Sequence, residues 1–109
     1  MERLIRFEEL PTDHLRDNVV RRFVNSDNAT IATFEFKKGS IVEEHEHVHE
    51  QLTYVLSGFL KITIGSQEYF LKKGNLLIIP GNTRHKFEAM EETTVLDIFT
   101  PIRQDWRSA

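Results

Sequence analysis

Cysteine is absent from the 109 residues of this chain, which excludes disulfides, thiolate metal sites and cysteine nucleophiles. Long apolar runs are also absent. No stretch approaches the length that crosses a bilayer, and Met1–Arg6 contains no apolar signal core. An excess of positive charge is lacking too, because the net charge is −3, and this argues against binding to phosphate backbones. We therefore expect a cytoplasmic, soluble protein with neither a membrane nor a nucleic-acid partner.

The composition is otherwise that of an ordinary globular protein. Apolar residues make up 39% of the chain and charged residues 28%, which argues against wholesale disorder. The length predicts one domain, 1–109, with a single hydrophobic core. We expect the basic pairs Arg21-Arg22, Lys37-Lys38 and Lys72-Lys73 to lie in water at strand ends and turns.

Short alternating or apolar segments, separated by turn-forming residues, make up most of the chain. This spacing predicts an antiparallel sandwich or barrel. Only Glu8–Asp17 has room for a helical turn or two, and Pro11 interrupts it. The predicted strands are Leu4–Leu10, Val19–Val24, Ile31–Phe36, Leu52–Leu56, Phe59–Ile64, Gln67–Leu71, Leu76–Ile79, Arg84–Ala89 and Thr94–Thr100.

Four of the five histidines form a pattern typical of a metal site. On a regular strand His45, His47, His49 and Gln51 point to the same side. Imidazoles two residues apart can approach one ion without backbone strain, and His85, after a turn, is the candidate that closes the site. The alternative is a solvated histidine tract on a charged strand edge.

Two of the five histidines are not assigned as ligands, and one of them belongs to this tract. His49 is a group behind the ligands, an acid or base at the rim, or a side chain turned away by a bulge. His14 is isolated, and we expect it to be exposed.

Two groups of residues at fixed spacing resemble the conserved motifs of the cupins. The first is Gly39, His45, His47, Gln51 and Gly58, and the second is Gly74, Pro80, Asn82 and His85. The resemblance implies an all-β cupin fold, the double-stranded β-helix or jelly-roll barrel. It also implies that one divalent transition metal ion (zinc, nickel, manganese, iron or cobalt) is bound by His45, His47, Gln51 and His85.

The chain departs from the cupin pattern at Gln51, where the family usually has a glutamate ligand. A neutral amide leaves the full charge on the ion, which makes it a stronger Lewis acid and stabilises a ferric state less well. This argues against an iron oxygenase. The alternative is that Gln51 is the remnant of a catalytic site in a barrel that only binds its ligand.

The carboxyl-terminal strand places Asp97 among apolar residues, on the same face as Val95 and Phe99. A buried carboxylate is costly unless it is paired or used, so Asp97 is a candidate general base. Arg103 is a candidate for a bidentate pair with a substrate carboxylate. The alternative is that Asp97 and Arg103 pair with each other or cap the barrel.

The segments 45–51, 54–58 and 96–106 also resemble the pectin-degradation (KdgF-type) cupins. These proteins convert 4,5-unsaturated uronic acids to the linear ketonised form. The resemblance implies that Asp97, Phe99 and Arg103 line the site and that the small-molecule substrate is a carboxylated sugar. The alternatives are a metal-dependent dioxygenase, a cyclase or isomerase of another small molecule, and a metabolite-binding barrel without activity.

The strand Leu52–Leu56 carries apolar residues on both faces. One face fills a barrel, and the other needs a cover, either the amino-terminal strand or a second subunit. We therefore expect a homodimer.

Overall fold

The computed structural model describes residues 1–16 and 18–106, and for Arg16 only the backbone. Nearly all regular structure in this part of the chain is β-strand, with one short 3-10 turn at Phe7–Glu9. No helix among these residues is long and apolar enough to cross a bilayer. The strands are β1 (Asp13–Arg16), β2 (Val19–Asn25), β3 (Thr30–Phe36), β4 (Ile41–His45), β5 (Glu50–Ser57), β6 (Phe59–Ile64), β7 (Gln67–Lys72), β8 (Leu76–Ile79), β9 (His85–Ala89) and β10 (Thr93–Thr100).

The strands form two antiparallel sheets that face each other. The larger sheet has the order β1-β2-β3-β10-β5-β8, and the smaller has the order β4-β9-β6-β7. Strand β10 lies between β3 and β5, and β9 lies between β4 and β6, so the chain passes repeatedly from one sheet to the other. This is the jelly-roll arrangement, which confirms the predicted all-β fold.

The core is built from the inward-facing side chains of both sheets. Along β3, Ala32, Phe34 and Phe36 are buried while Ile31 and Glu35 are exposed, as the alternation predicts. Each large apolar side chain buried in this way stabilises the fold by roughly 1.5–3 kcal/mol. The buried apolar residues are Val19, Ala32, Phe34, Phe36, Val55, Leu60, Ile62, Leu71, Ile79, Phe87, Ala89, Val95 and Phe99.

Gly58 joins β5 to β6 at a point where the chain has no room for a side chain. Its φ is +96°, a conformation that residues with a Cβ rarely adopt. A Cβ at this position would overlap the backbone carbonyl of Glu92 and the Cα of Thr93. The glycine therefore lets the β5–β6 turn pack directly against the start of β10.

The amino-terminal region differs from the prediction. Leu4–Leu10 is not a strand, because residues 1–6 lie outside the sheets and Phe7–Glu9 forms the 3-10 turn. The region predicted to hold a helical turn instead contains β1, which pairs with β2. The last residue of that region, Asp17, lies outside the described residues. Pairing with β2, supported by an Arg21–Asp13 ion pair of 3.1 Å, decides the structure of this region over its local preference.

The outer face of the larger sheet carries a continuous set of apolar side chains. Leu52 lies between Ile98 and Ile78 across three paired strands, and Tyr54 lies between Leu96 and Leu76. Ile78 and Leu76 are 57% and 53% exposed. The other face of β5, with Gln51, Thr53 and Val55, is buried, so β5 has the two faces that the sequence predicts.

Candidate metal centre and cavity

The histidine tract does not form one regular strand, so the condition under which its alternate side chains share one side is not met. Strand β4 ends at His45, residues 46–49 form a loop, and β5 begins at Glu50. The loop is held by the turn after β8. The backbone N–H of Asn82 donates to the carbonyl of His47 at 2.7 Å, and a Cβ on Gly81 would overlap the carbonyl of Val48. Asn82 has a φ of +60°, which asparagine tolerates well.

Three histidines nevertheless come together. His85 on β9 lies opposite His45 in the strand register, with ring centroids 4.4 Å apart. The loop brings the ring of His47 to 5.1 Å from that of His85. One nitrogen from each of the three side chains lies within 4.8 Å of the others. These are the three histidines that the sequence selects as candidate ligands.

Backbone carbonyls fix the orientation of all three rings. His45 Nδ1 contacts the carbonyl of Glu43 at 2.9 Å, His47 Nδ1 that of His49 at 3.1 Å, and His85 Nδ1 that of Thr83 at 2.7 Å. Since a carbonyl only accepts, each Nδ1 carries the proton. The neutral ring then has a lone pair on Nε2, the form in which histidine binds a metal.

Burial lowers the pKa of two of these rings, His47 and His85. The pKa of His85 is lowered to about 4, mainly by burial, with smaller contributions from the neighbouring His45, His47 and Arg103, while the hydrogen bond to Thr83 acts in the opposite direction. The pKa of His47 is also lowered, first by burial and then by Arg103. His85 Nε2 is buried and has no hydrogen-bond partner among the described residues. An unpartnered lone pair of this kind suits a cation.

Gln51 is the fourth side chain at this point. Its Oε1 lies 3.0 Å from His47 Nε2, and its Nε2 donates to Thr53 Oγ1 at 3.0 Å. In this orientation two acceptor atoms face each other, an arrangement that needs a proton or a cation between them. Two ligands of one ion, each about 2.1 Å from it, lie roughly 3 Å apart at a right angle. The donor set therefore suits a divalent metal ion.

Asp97 lies on the inward face of β10, as the alternation predicts, and is 2% exposed. Its Oδ1 has no hydrogen-bond partner among the described residues. Burial raises the pKa of Asp97 to about 7, although Thr53, Gln51 and the charge of Arg103 act in the opposite direction. Both protonation states are thus accessible near neutral pH, which suits a group that transfers protons.

Arg103 follows β10 and is buried at the barrel mouth, but it does not pair with Asp97. Its Nε and Nη2 donate to the two carboxylate oxygens of Asp105 at 3.0 and 2.8 Å. This hydrogen-bonded ion pair lowers the pKa of Asp105 to about 2. Asp97 and Arg103 therefore do not pair with each other, and Asp97 forms no ion pair among the described residues.

One cavity of about 250 Å³ connects these groups. It is lined by five of the predicted site residues, namely His45, Gln51, Asp97, Phe99 and Arg103. The ring of Phe99 also contacts that of His47, with centroids 5.7 Å apart. The cavity therefore brings the proposed proton-transfer group, the arginine and the edge of the histidine cluster to one small space.

Two further cavity residues, Arg21 and Trp106, were not selected from the sequence. Arg21 was expected to be solvated, which is wrong, because its side chain is only 11% exposed. Alternation along β2 could have predicted this position, because Val19, Arg21 and Phe23 share its inward face. The other two basic pairs, Lys37-Lys38 and Lys72-Lys73, are exposed as expected.

His49 belongs neither to the histidine cluster nor to a strand. It is buried, and its Nε2 contacts the carbonyl of Ile102 at 3.1 Å. The side chain therefore connects the loop that carries His47 to the segment that carries Arg103. His14 is exposed, as the sequence predicts.

The raised pKa of Asp97 makes the stability of the protein depend on pH. In the unfolded chain Asp97 loses its proton near pH 4, whereas in the folded protein it keeps the proton up to about pH 7. Stability is therefore lost as the pH rises through this window. In chelator-treated protein, Asp97→Asn removes this pH dependence. Between pH 4 and 8 the unfolding free energy of the wild type should therefore fall by about a few kcal/mol relative to that of the variant. Urea denaturation across this range measures the difference, and a difference that is constant with pH contradicts the assignment.

Comparison with known proteins agrees with this architecture. An uncharacterized protein of Streptomyces coelicolor is 24% identical over 98 residues, which cover 88% of this chain and 93% of that protein. The structure of KdgF from a Halomonas species superposes with a TM-score of 0.84 at 24% identity, covering 90% of this chain and 94% of KdgF. An RmlC-like cupin from Shewanella frigidimarina gives 0.88 at 21% identity, over 96% of each chain. Residues 32–99, more than half of the chain, match the Cupin_2 model, a cupin domain. The chain therefore belongs to the cupin family.

Proposed function

We propose that this cupin is a metal-dependent isomerase that converts 4,5-unsaturated uronic acids to their linear ketonised form. The observation that carries the proposal is the single cavity shared by His45, Gln51, Asp97, Phe99 and Arg103. Its volume of about 250 Å³ suits a monosaccharide better than a polymer. The resemblance to the KdgF-type cupins adds the substrate class.

In this proposal His45, His47, Gln51 and His85 hold one divalent transition metal ion. The bound ion supplies Lewis acidity, undiminished by ligand charge because all four donors are neutral. Fixed Nδ1 protons and lowered pKa values leave the ring nitrogens of His47 and His85 free to bind without competition from protons.

The remaining steps of the proposed reaction are assigned to side chains of the cavity. The ring C–O bond breaks and leaves a carbonyl at C1 and an enol at C5, and the enol then becomes a ketone as C4 gains a proton. The net change moves one proton from the C1 hydroxyl to C4, so no further reactant is required. Asp97 moves this proton, because it is the one carboxyl group among the described residues that line the cavity. Phe99 shapes the cavity, and Arg103 binds the substrate carboxylate.

Metal binding is tested by titrating chelator-treated protein with Zn²⁺ or Ni²⁺ against a coloured chelator. We expect one ion per chain. His85→Ala should weaken binding by more than the roughly 10–100-fold that loss of an outer-shell partner costs, since it removes a ligand. His14→Ala is the matched control, because it removes an exposed histidine outside the cluster. Wild-type affinity in a folded His85→Ala variant would place the metal elsewhere.

Activity is tested by following the ultraviolet absorbance of a 4,5-unsaturated galacturonate monomer beside an enzyme-free blank. We expect metal-loaded protein to accelerate the loss of absorbance and the chelator to abolish this effect. Asp97→Asn should lower turnover by about 10²–10⁴-fold with metal still bound, because it removes the proton-transfer group.

The control for that variant is Asp27→Asn, which alters an exposed aspartate between β2 and β3. Turnover equal to that of the wild type in Asp97→Asn refutes its role. No acceleration over the blank by metal-loaded protein refutes the isomerase. Saturable binding of the sugar without product would instead favour a metabolite-binding barrel.

We also propose that a second copy of the chain covers the outer face of the larger sheet. The support is the exposed apolar set around Tyr54, Leu76 and Ile78, which is large for a surface in contact with water. A two-fold axis through this face would place the same patch on both subunits.

Sedimentation equilibrium at micromolar concentration should therefore give twice the chain mass of 12.8 kDa. Ile78→Lys should shift the mass towards the monomer, because it places a charge in the apolar contact. Phe70→Lys makes the same change at a half-exposed residue of the smaller sheet and should leave the dimer intact. A monomeric wild type overturns the proposal.

A further inference from the structure

We propose that Arg21 and Arg103 together form the carboxylate-binding end of the cavity, beside Trp106, so that the acid group of the ligand binds there and its other oxygens face the metal end. This inference deepens the proposed function and shares its cavity. It concerns binding, however, and its test does not depend on turnover.

Two guanidinium groups lie over the same indole ring. The guanidinium carbon of Arg21 is 4.2 Å from the ring centroid of Trp106, and that of Arg103 is 4.3 Å from it. The two guanidinium carbons are therefore at most 8.5 Å apart, the sum of 4.2 and 4.3 Å. They come from opposite ends of the chain, Arg21 from β2 and Arg103 from the segment after β10, and both line the cavity together with Trp106.

Each arginine is held in place by its own carboxylate. Arg21 donates from Nε and Nη2 to Asp13 Oδ2 at 3.2 and 3.1 Å. Arg103 uses the same two nitrogens for Asp105. Nη1 of both residues has no hydrogen-bond partner among the described residues. Each guanidinium is therefore oriented by one acid and keeps a pair of N–H donors for another.

The packing around Trp106 makes this arrangement rigid. Its ring contacts Phe99 and Phe23 edge to face, with centroids 5.0 and 5.3 Å apart. Arg103 also lies over Phe99, and its backbone N–H donates to Thr30 Oγ1 at 2.8 Å. Side chains held in this way lose little freedom when they bind an anion, and a guanidinium matches the planar geometry of a carboxylate.

The remaining groups in the cavity fit this direction of binding. Asp97 lines the same cavity, and the histidine cluster offers neutral nitrogen donors. A ligand with one carboxylate and several hydroxyl or carbonyl oxygens satisfies both ends at once. The chemical class is therefore a small polyhydroxy acid bound by its acid group to the two arginines.

The test uses the only tryptophan in the chain, Trp106, as a reporter at the site itself. Its fluorescence is titrated with D-galacturonate, a stable uronic acid, and with D-galactose, its neutral counterpart. Both titrations are run on metal-loaded and on chelator-treated protein. We expect galacturonate to bind roughly ten-fold or more tightly than galactose in both states, because hydrogen bonds to charged groups are the stronger ones.

Arg21→Gln should weaken galacturonate binding several-fold in both states and leave galactose binding unchanged, with Arg103 keeping part of the preference for the acid. The matched control is Arg22→Gln, the next residue of β2, which pairs with Glu35 and does not line the cavity. It should bind as the wild type does. Wild-type affinity in Arg21→Gln, or a preference for the acid that disappears with the metal, overturns the inference, since the second result places the carboxylate on the ion.

A second variant keeps Arg21 in place and reverses the expected sign. Asp13→Asn keeps an oxygen that can accept from Arg21 but removes the negative charge beside it, so galacturonate binding should tighten while galactose binding stays unchanged. Unchanged or weaker acid binding in this variant contradicts the inference, including where Arg21→Gln fails to fold. If the acid binds as expected while the unsaturated sugar is not converted, the isomerase proposal fails and the two-arginine subsite stands.

Discussion

The site depends on three hydrogen bonds from imidazole rings to backbone carbonyls. The carbonyls of Glu43, His49 and Thr83 each accept from Nδ1 of a clustered histidine, and this leaves the three Nε2 atoms as lone-pair donors. Those carbonyls are fixed by the ends of β4 and β9 and by the loop between β4 and β5. The fold therefore determines the tautomers, and the tautomers determine which kind of ligand the cluster accepts.

The contacts of the 46–49 loop extend this constraint to the barrel mouth. On one side the loop is held by the N–H of Asn82 through the His47 carbonyl, and on the other His49 contacts the carbonyl of Ile102. The segment after β10 carries Arg103 and Trp106, so the position of both is tied to that of the histidine cluster. The two ends of the cavity are thus positioned relative to each other by contacts within the chain.

Much of this arrangement could be predicted from the sequence, because alternation on regular strands determines which side chains face inward. Asp97 and Phe99 on β10, and Ala32 and Phe34 on β3, follow that rule. His45 and His85 were also predictable as partners, since they stand at fixed positions in two motifs. The rule fails where the strand is interrupted: His49 has the parity of His45 but lies in a loop and faces the segment after β10.

The other misjudged features depend on pairings between distant segments. Strand β1 forms because β2 is beside it, and no local pattern in Asp13–Arg16 indicates this. Arg21 looks like half of a solvated basic pair until Trp106, far along the chain, is placed against it. Arg103 forms its ion pair with Asp105, two residues further along the chain, and not with Asp97 on β10, the alternative that the sequence left open. Alternation along a strand predicts which side of the sheet a side chain faces. Only the assembled fold shows which residues that side chain contacts.

The glutamine at position 51 and the carboxyl group of Asp97 are consistent with each other. In the register of β5 with β10, Gln51 lies opposite Phe99 and Thr53 lies opposite Asp97. Position 51 is therefore close to the carboxyl group of Asp97. The amide lowers the pKa of Asp97, against the larger effect of burial. A glutamate at 51 would add a like charge and raise that pKa further, holding Asp97 protonated well above neutral pH. A neutral donor at this position therefore leaves the charge of a bound ion undiminished and adds no like charge that would raise the pKa of Asp97.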